Sequence, residues 1–320
     1  MPVTYILFVI GFILLVYGAN WLVDGAASIA RRYQIPHVVI GLTIVALGTS
    51  APELVVNIVA SFKDNSDVAL GNILGSNISN VFLILGVSAL IFPLAVSKNT
   101  LWKEIPFAIF GALLFGILAN NLIFKAWSSP LIARVDGIVL ILFFVLFMIY
   151  TFIIARQKDV NTHLDIKVKA HPVVLSLLMI ASGIAALVMG GRWIVDGAVA
   201  IAGSLGMSEA VISLTIVAIG TSLPELATCV AAAMKRNADI VIGNILGSNI
   251  FNIFFVMGTS AVIKPLPFNQ ALNFDVLAGI FSTLLLWMFL IISGQRTLHR
   301  WHGGVFVVMY VVYVVFLLKG

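Results

Sequence analysis

The chain has 320 residues, of which 61% are hydrophobic and 10% are charged. This composition excludes an ordinary soluble domain and is typical of a protein that crosses the membrane several times. The formal net charge is +5, but the basic residues are scattered over short loops, which argues against a nucleic-acid partner and for a membrane-orientation signal.

Ten apolar segments follow one another along the chain, each long enough to span the hydrocarbon core of a bilayer, which takes roughly 20 residues. The first has no basic residue before it and no small-residue cleavage site after it, so we expect a retained helix. We therefore predict an all-α membrane protein with ten transmembrane helices. The predicted spans are 3–23, 36–61, 67–92, 103–122, 131–155, 173–193, 207–233, 238–263, 271–293 and 302–318.

A short polar stretch, 156–171, separates two halves, 1–155 and 172–320, with five predicted spans each. If both termini are outside, twelve Lys and Arg residues lie in inner loops and five in outer loops. Basic residues favour the cytoplasmic side. The distribution therefore predicts a multi-pass protein of the cell membrane with both termini outside and a cytoplasmic linker at 156–171.

Two stretches of the first half recur in the second half at an offset of 172 residues. TIVALGTSAPEL at 43–54 returns as TIVAIGTSLPEL at 215–226, and GNILGSNISN at 71–80 returns as GNILGSNIFN at 243–252. The offset places the first span on the sixth. Because the chain crosses the membrane five times between the starts of these two spans, an odd number, the sixth span runs in the opposite direction to the first. We therefore expect two inverted-topology repeats, an arrangement in which transporters bind substrate near the midplane, at broken helices between the repeats.

The first stretch of each half places one carboxylate, Glu53 or Glu225, in an apolar segment with no Lys, Arg or His in the nine residues on either side. An isolated acid at bilayer depth is costly and usually marks an ion or substrate pathway. Pro52 and Pro224 lack an N–H, so we expect each helix to break just before its proline, at about 47–51 in the first half. Carbonyls freed at such a break can bind cations.

The second stretch of each half provides amide and hydroxyl oxygens. In the first half, Asn72, Ser76 and Asn80 are spaced by four residues and share one side of a helix. Oxygen ligands suit Ca²⁺ or Na⁺, whereas zinc or copper would call for His or Cys. Two ionised glutamates repel each other, and one Ca²⁺, two or more Na⁺, or protons would neutralise them. Competition of these cations for one pair of acids is a physical basis for exchange.

These paired motifs resemble those of the sodium/calcium exchangers of the cation/Ca²⁺ antiporter superfamily, especially the short prokaryotic members, over nearly the whole chain. The resemblance implies a ten-helix antiporter with Ca²⁺ and Na⁺ as transported ions, no cofactor and no enzymatic activity. It implies that Glu53 and Glu225 bind Ca²⁺ with the main-chain carbonyls of Thr49 and Thr221. The implied Na⁺ sites use Ser50, Ser76, Ser222, Ser248 and the carbonyls of Ala46 and Ala218, around a middle position flanked by Asn80 and Asn252.

Other functions stay open at this point. A Ca²⁺/H⁺ antiporter could use Glu53 and Glu225 as proton carriers, although the repeated serines favour sodium. A cation channel would need a continuous pore, commonly built by several subunits. The spans contain no HExxH, GxSxG or paired-Asp motif of a membrane enzyme. Asn77 and Asn249 could bind ions or form hydrogen bonds between helices, and no protein partner is indicated.

Overall fold

The computed structural model of the chain describes residues 2–120, 130–156, 171–204, 218–293 and 295–319. Nearly all of these residues are helical, because a backbone surrounded by lipid must form its hydrogen bonds within itself. The helices are α1 (Pro2–Tyr33), α2 (His37–Thr49), α3 (Ala51–Phe62), α4 (Ser66–Ile91), α5 (Thr100–Ala119), α6 (Arg134–Arg156), α7 (Val173–Ser204), α8 (Ala218–Thr221), α9 (Leu223–Met234), α10 (Ala238–Ile263), α11 (Gln270–Ile292) and α12 (Arg300–Lys319).

Eight helices in the described part of the chain are long and apolar enough to cross a membrane, and the bent pair α2 and α3 makes a ninth span. Helix α9 is shorter, with 12 residues. The predicted span 207–233 and the predicted linker 156–171 both fall partly outside the described residues. The multi-pass helical fold is thus established, while the full count of ten spans stays a prediction.

Helices α1 and α7 have 32 residues each and continue about ten residues past the predicted span ends at 23 and 193. At 1.5 Å per residue each helix is about 48 Å long, more than the roughly 30 Å of a hydrocarbon core. The two helices pack side by side through glycines. A Cβ at Gly18 would lie only 2.9 Å from the main-chain oxygen of Gly183, so a larger residue there would push the helices apart.

The span formed by α2 and α3 bends by 48° at Ser50. Ser50 has φ −85° and ψ 11°, and Ser222, which separates α8 from α9, has nearly the same values, φ −86° and ψ 5°. Pro52 and Pro224 lie in the first turn of the following helix, where the missing N–H costs no helical hydrogen bond. The first break falls within the predicted stretch 47–51.

Helices α4 and α10 form the centre of the molecule. In the apolar part of each helix, 18 residues long, 78% of the residues of α4 and 94% of those of α10 are buried. Each helix begins after an asparagine, Asn65 or Asn237, whose side chain accepts a hydrogen bond of 3.2 Å from the main-chain N–H three residues on. Each also contains a π-helical segment, Asn80–Leu85 or Phe251–Met257. Segments of this kind often occur at functional sites.

Two short antiparallel strand pairs tie the two halves of the chain together. Strand β1 (Leu94–Ala95) pairs with β4 (Thr297–Leu298), and β2 (Leu131–Ile132) pairs with β3 (Leu266–Pro267). In each pair, one strand comes from 1–155 and the other from 172–320. The contacts between the halves therefore include loops as well as helices.

Candidate cation site

The two glutamates lie in the first turns of α3 and α9, directly after the helix breaks. Glu53 and Glu225 are each 1% exposed. Both carboxylate oxygens of Glu53 and Oε2 of Glu225 have no hydrogen-bond partner among the described residues. Burial of a carboxylate without a partner is costly, and buried acids in proteins are normally paired or bind metal ions. The two acids are therefore prepared for a cation or a proton.

Ser50, at the first break, connects the two halves of the site. Its Oγ donates to Glu225 Oε1 at 2.8 Å and lies 2.9 Å from Ser248 Oγ, a hydroxyl of α10. At the second break, Ser222 Oγ is equally buried but has no partner among the described residues. The two breaks therefore share their backbone geometry and differ in their hydrogen bonds.

The threonines before the breaks also face the acids. Thr49 lies beside Glu225 and donates to Asn244 Oδ1 at 3.2 Å. Thr221, together with Ser76 of α4, lies beside Glu53. Each acid is therefore surrounded by hydroxyl groups of the opposite half or of the central helices.

The carbonyl of Ala46 is less free than the resemblance suggests. It accepts the main-chain N–H of Ser50 at 3.0 Å and lies 3.4 Å from Thr49 Oγ1. A cation at this oxygen would have to share it with those donors. Ala218 is the first residue of α8, at the position equivalent to Ala46.

Four asparagines join α4 to α10 at the level of the site. Asn80 Nδ2 donates to Asn249 Oδ1 at 2.9 Å, and Asn252 Nδ2 donates to Asn77 Oδ1 at 3.1 Å. The side-chain oxygens of Asn80 and Asn252 are buried and have no partner among the described residues. Of the two roles considered for Asn77 and Asn249, the structure thus displays the hydrogen bonds between helices.

A second layer of amides lies behind the glutamates. The sequence analysis grouped Asn72 with Ser76 and Asn80 as a source of oxygens but did not connect it with Asn57. Asn57 Nδ2 donates to the carbonyl of Ala69 at 3.0 Å, and Asn72 Nδ2 donates to Asn57 Oδ1 at 2.7 Å. At the positions 172 residues later, Asn244 Nδ2 donates to Cys229 Sγ at 3.3 Å. The match of Asn72 with Asn244 in the repeat was the available signal for this layer. Because Cys replaces Asn57 in the second half, the layer is more polar behind Glu53 than behind Glu225.

The donor set of the site consists of carboxylate, hydroxyl, amide and carbonyl oxygens. The described residues contain no group of three His, Cys, Asp or Glu side chains that could hold a metal ion. Hard cations bound by few charges and many neutral oxygens fit the arrangement.

Comparisons with known proteins agree with this chemistry. A family model described as "Sodium/calcium exchanger protein" matches residues 3–153 and 175–319. The chain is 32% identical to "Sodium/calcium exchanger MaX1" of Methanosarcina acetivorans over 99% of both chains, and 37% identical to "Putative antiporter CaxA" of Alkalimonas amylolytica over 98% of both chains. Its structure is similar to that of the sodium-calcium exchanger NCX_Mj soaked with Na⁺ and Sr²⁺, with a TM-score of 0.85 and 31% identity over 98% of both chains.

Proposed function

Because the chain belongs to the sodium/calcium exchanger protein family, we propose that it is a secondary active antiporter that exchanges Ca²⁺ for Na⁺ across the membrane by alternating access. The family is one of transporters and not of enzymes. The observation that carries the proposal is the pair Glu53 and Glu225, both 1% exposed and with three of four carboxylate oxygens unpartnered in the described structure. Ca²⁺ or Na⁺ would supply the missing charge.

The two halves form one site as inverted repeats of five helices each, 1–155 and 172–320, with ten spans in all. Hydrogen bonds that recur after 172 residues support this arrangement. The bonds Asn80 to Asn249 and Asn252 to Asn77 exchange under the offset. Of the two antiparallel strand pairs between the halves, β1 returns as β3 after 172 residues and β2 returns as β4 after 166. Reciprocal contacts of this kind are what a two-fold axis between two inverted halves produces.

Ca²⁺ binds between Glu53 and Glu225, with the main-chain carbonyls of Thr49 and Thr221 as further ligands. Na⁺ ions occupy flanking positions. One such position is supported by Ser50 Oγ, which lies 2.8 Å from Glu225 Oε1 and 2.9 Å from Ser248 Oγ. Charge balance supports exchange, because one Ca²⁺ or two Na⁺ neutralise the same pair of acids. The remaining proposed Na⁺ ligands are Ser76, Ser222 and the main-chain carbonyls of Ala46 and Ala218. Asn80 and Asn252 flank the middle position, beside the Ca²⁺ held by the two glutamates.

Alternating access is supported by an ion pair between the halves that has no counterpart at the matching positions of the repeat. Lys235 Nζ lies 2.8 Å from Asp24 Oδ1 and also donates to a carbonyl of α1. The residues at the matching positions behave differently: Asp196 is 3.9 Å from Arg192, and Lys63 has no ion pair with a described residue. In the proposed topology, the closed pair faces the cytoplasm and the open one faces outwards. A different ion pair, between Asp64 and Lys264, joins the halves on the proposed outer side, so ion pairs link the halves on both sides.

The orientation proposed for the chain has both termini outside and a cytoplasmic linker at 156–171. A single cysteine at position 160, on a Cys229→Ala background, tests it in intact cells. Label from a membrane-impermeant thiol reagent should reach this cysteine only after permeabilisation. Strong labelling from outside would refute the orientation and the assignment of the cytoplasmic side to the ion pair.

Transport is tested in proteoliposomes loaded with Na⁺, at equal pH on both sides, and diluted into Na⁺-free medium with radioactive Ca²⁺. Sodium exchange predicts uptake that collapses when internal Na⁺ is replaced by choline and that is impaired by Ser76→Ala or Ser248→Ala. Uptake that ignores Na⁺ and follows an imposed pH gradient would make the protein a Ca²⁺/H⁺ antiporter on the same acids. Uptake that does not saturate and needs no counter-ion would indicate a channel.

A further inference from the structure

Asn77 and Asn249 form a reciprocal pair at the contact of α4 with α10. Asn77 Nδ2 donates to the main-chain carbonyl of Asn249, and Asn249 Nδ2 donates to the main-chain carbonyl of Asn77, both at 3.3 Å. Both side chains are buried. The proposed exchange mechanism assigns neither of them a role as a ligand, so their four hydrogen bonds call for another explanation.

The main-chain carbonyls fix which way these two amides point. A carbonyl oxygen can only accept, so the NH₂ group of Asn77 and of Asn249 must face it. The side-chain oxygen of each is then left on the other side, where it can only accept. Asn252 donates to Asn77 Oδ1 at 3.1 Å and Asn80 donates to Asn249 Oδ1 at 2.9 Å. The orientation of all four amides therefore follows from two backbone oxygens.

This chain of hydrogen bonds decides which atom Asn80 and Asn252 present to the ions. Because their NH₂ groups are engaged, their Oδ1 atoms remain, buried and without a described partner. Ser76, one turn before Asn80, lies beside Glu53, and Ser248, one turn before Asn252, contacts the first helix break. The same helix faces thus carry the serines and the free amide oxygens. An oxygen there attracts a cation, whereas an NH₂ group would repel it.

We propose that Asn77 and Asn249 are positioning residues that orient the amides of Asn252 and Asn80, so that the site presents oxygen and never NH₂ to the transported cation. The proposal rests on the proposed exchange function and adds a device for Ca²⁺ affinity. Oriented amides supply two neutral oxygen ligands without raising the charge above that of the two glutamates. A single Ca²⁺ can then be bound without a further counter-ion.

The matched variants are Asn77→Leu and Asn249→Leu, which keep the approximate volume and remove every hydrogen bond of the side chain. We expect each to raise the external Ca²⁺ concentration for half-maximal uptake about ten-fold, the effect of one lost contact to a charged group. The maximal rate per folded protein should stay close to that of the wild type. An unchanged half-saturation, or a loss of maximal rate at unchanged half-saturation, would overturn the proposal.

A double-mutant cycle separates positioning from general packing. In an Asn80→Ala background there is no amide to orient, so Asn249→Leu should have little further effect on half-saturation. The crossed combination, Asn249→Leu with Asn252→Ala, should have nearly additive effects, because Asn249 does not bond Asn252. Additive effects in both cycles would refute the positioning role.

Two controls complete the experiment. If the leucine variants do not yield monodisperse protein in detergent, Asn77→Ala and Asn249→Ala replace them, and failure of all four to fold would assign these amides to the fold and overturn the proposal. Thermal stabilisation of purified protein by Ca²⁺ alone, measured for wild type and variants, needs no transport. A wild type that is stabilised by Ca²⁺ but shows no Na⁺-driven uptake would refute the exchange function, while the shift of the variants' Ca²⁺ dependence would still decide the role of the asparagines.

Discussion

The hydrogen bonds of the two helix breaks predict unequal effects for two equivalent serines. Ser50→Ala removes the donor that bonds Glu225 Oε1 at 2.8 Å and the contact with Ser248 Oγ at 2.9 Å. Ser222→Ala is the matched control, because Ser222 Oγ is buried and has no partner among the described residues. Both substitutions delete one oxygen at the same backbone geometry. They differ in the interactions that are lost.

The expected size follows from the loss of one hydrogen bond to a carboxylate in a site shielded from water. Such a bond contributes about 2 kcal/mol, and its removal leaves a buried acceptor unsatisfied. For Ser222→Ala we expect less than about 0.5 kcal/mol, because a side chain without a bond has none to lose. With an unfolding entropy of roughly 2 cal/mol/K per residue, the difference corresponds to an unfolding temperature about 2 to 3 °C lower for Ser50→Ala.

The assay is thermal unfolding of purified protein in detergent, first with chelator and without Na⁺, then with saturating Ca²⁺. The gap between the two variants should be present without cations. It should shrink with Ca²⁺, because the bound ion then satisfies the Glu225 carboxylate. Equal destabilisation by both variants without cations, or greater destabilisation by Ser222→Ala, would refute the reasoning about the unequal breaks.

Three further predictions concern transport. Glu53→Gln and Glu225→Gln should each abolish Ca²⁺ uptake in proteoliposomes while leaving inserted protein, because the amide keeps the size and loses the charge; wild-type uptake by either would remove that residue from the site. Pro52→Ala should insert normally but transport poorly, since it permits a main-chain hydrogen bond across the break; full activity would show that the break does not depend on the missing N–H. Lys235→Ala should change the fraction of protein open to the cytoplasm up to about five-fold, the limit for a half-exposed ion pair. The fraction is measured as the cytoplasmic accessibility of an introduced cysteine, and Lys63→Ala should leave it unchanged. Equal effects of the two substitutions would refute the role of the Lys235–Asp24 pair.

The repeated motifs alone located most of the candidate site. They indicated both glutamates, the helix breaks and the flanking serines. A proline breaks a helix locally, and an acid in an apolar segment has few structural roles. Counting crossings at the offset of 172 residues also predicts the inverted arrangement of the halves. Those inferences depend on local chemistry and on chain length, which a sequence contains in full.

The sequence did not give the lengths of α1 and α7. Both continue past the predicted spans, to Tyr33 and Ser204, because the bilayer thickness sets the shortest length of a spanning helix and not the residue at which the helix ends. The sequence also does not show which residues are contacted by the glycines that bring these helices together. Their meaning appears only when the two helices lie side by side.

Only the tertiary structure decided how the polar groups pair. Ser50 and Ser222 are equivalent in the repeat, yet one bonds Glu225 and the other has no described partner. The hydrogen-bond roles of Asn77 and Asn249 cannot be read from the sequence, because an amide side chain can donate or accept. The choice depends on which main-chain carbonyl lies opposite, and that is set by the packing of α4 against α10. Sequence determines which polar groups are available near the acids, whereas the contact between distant helices determines which atom of each one faces the ion.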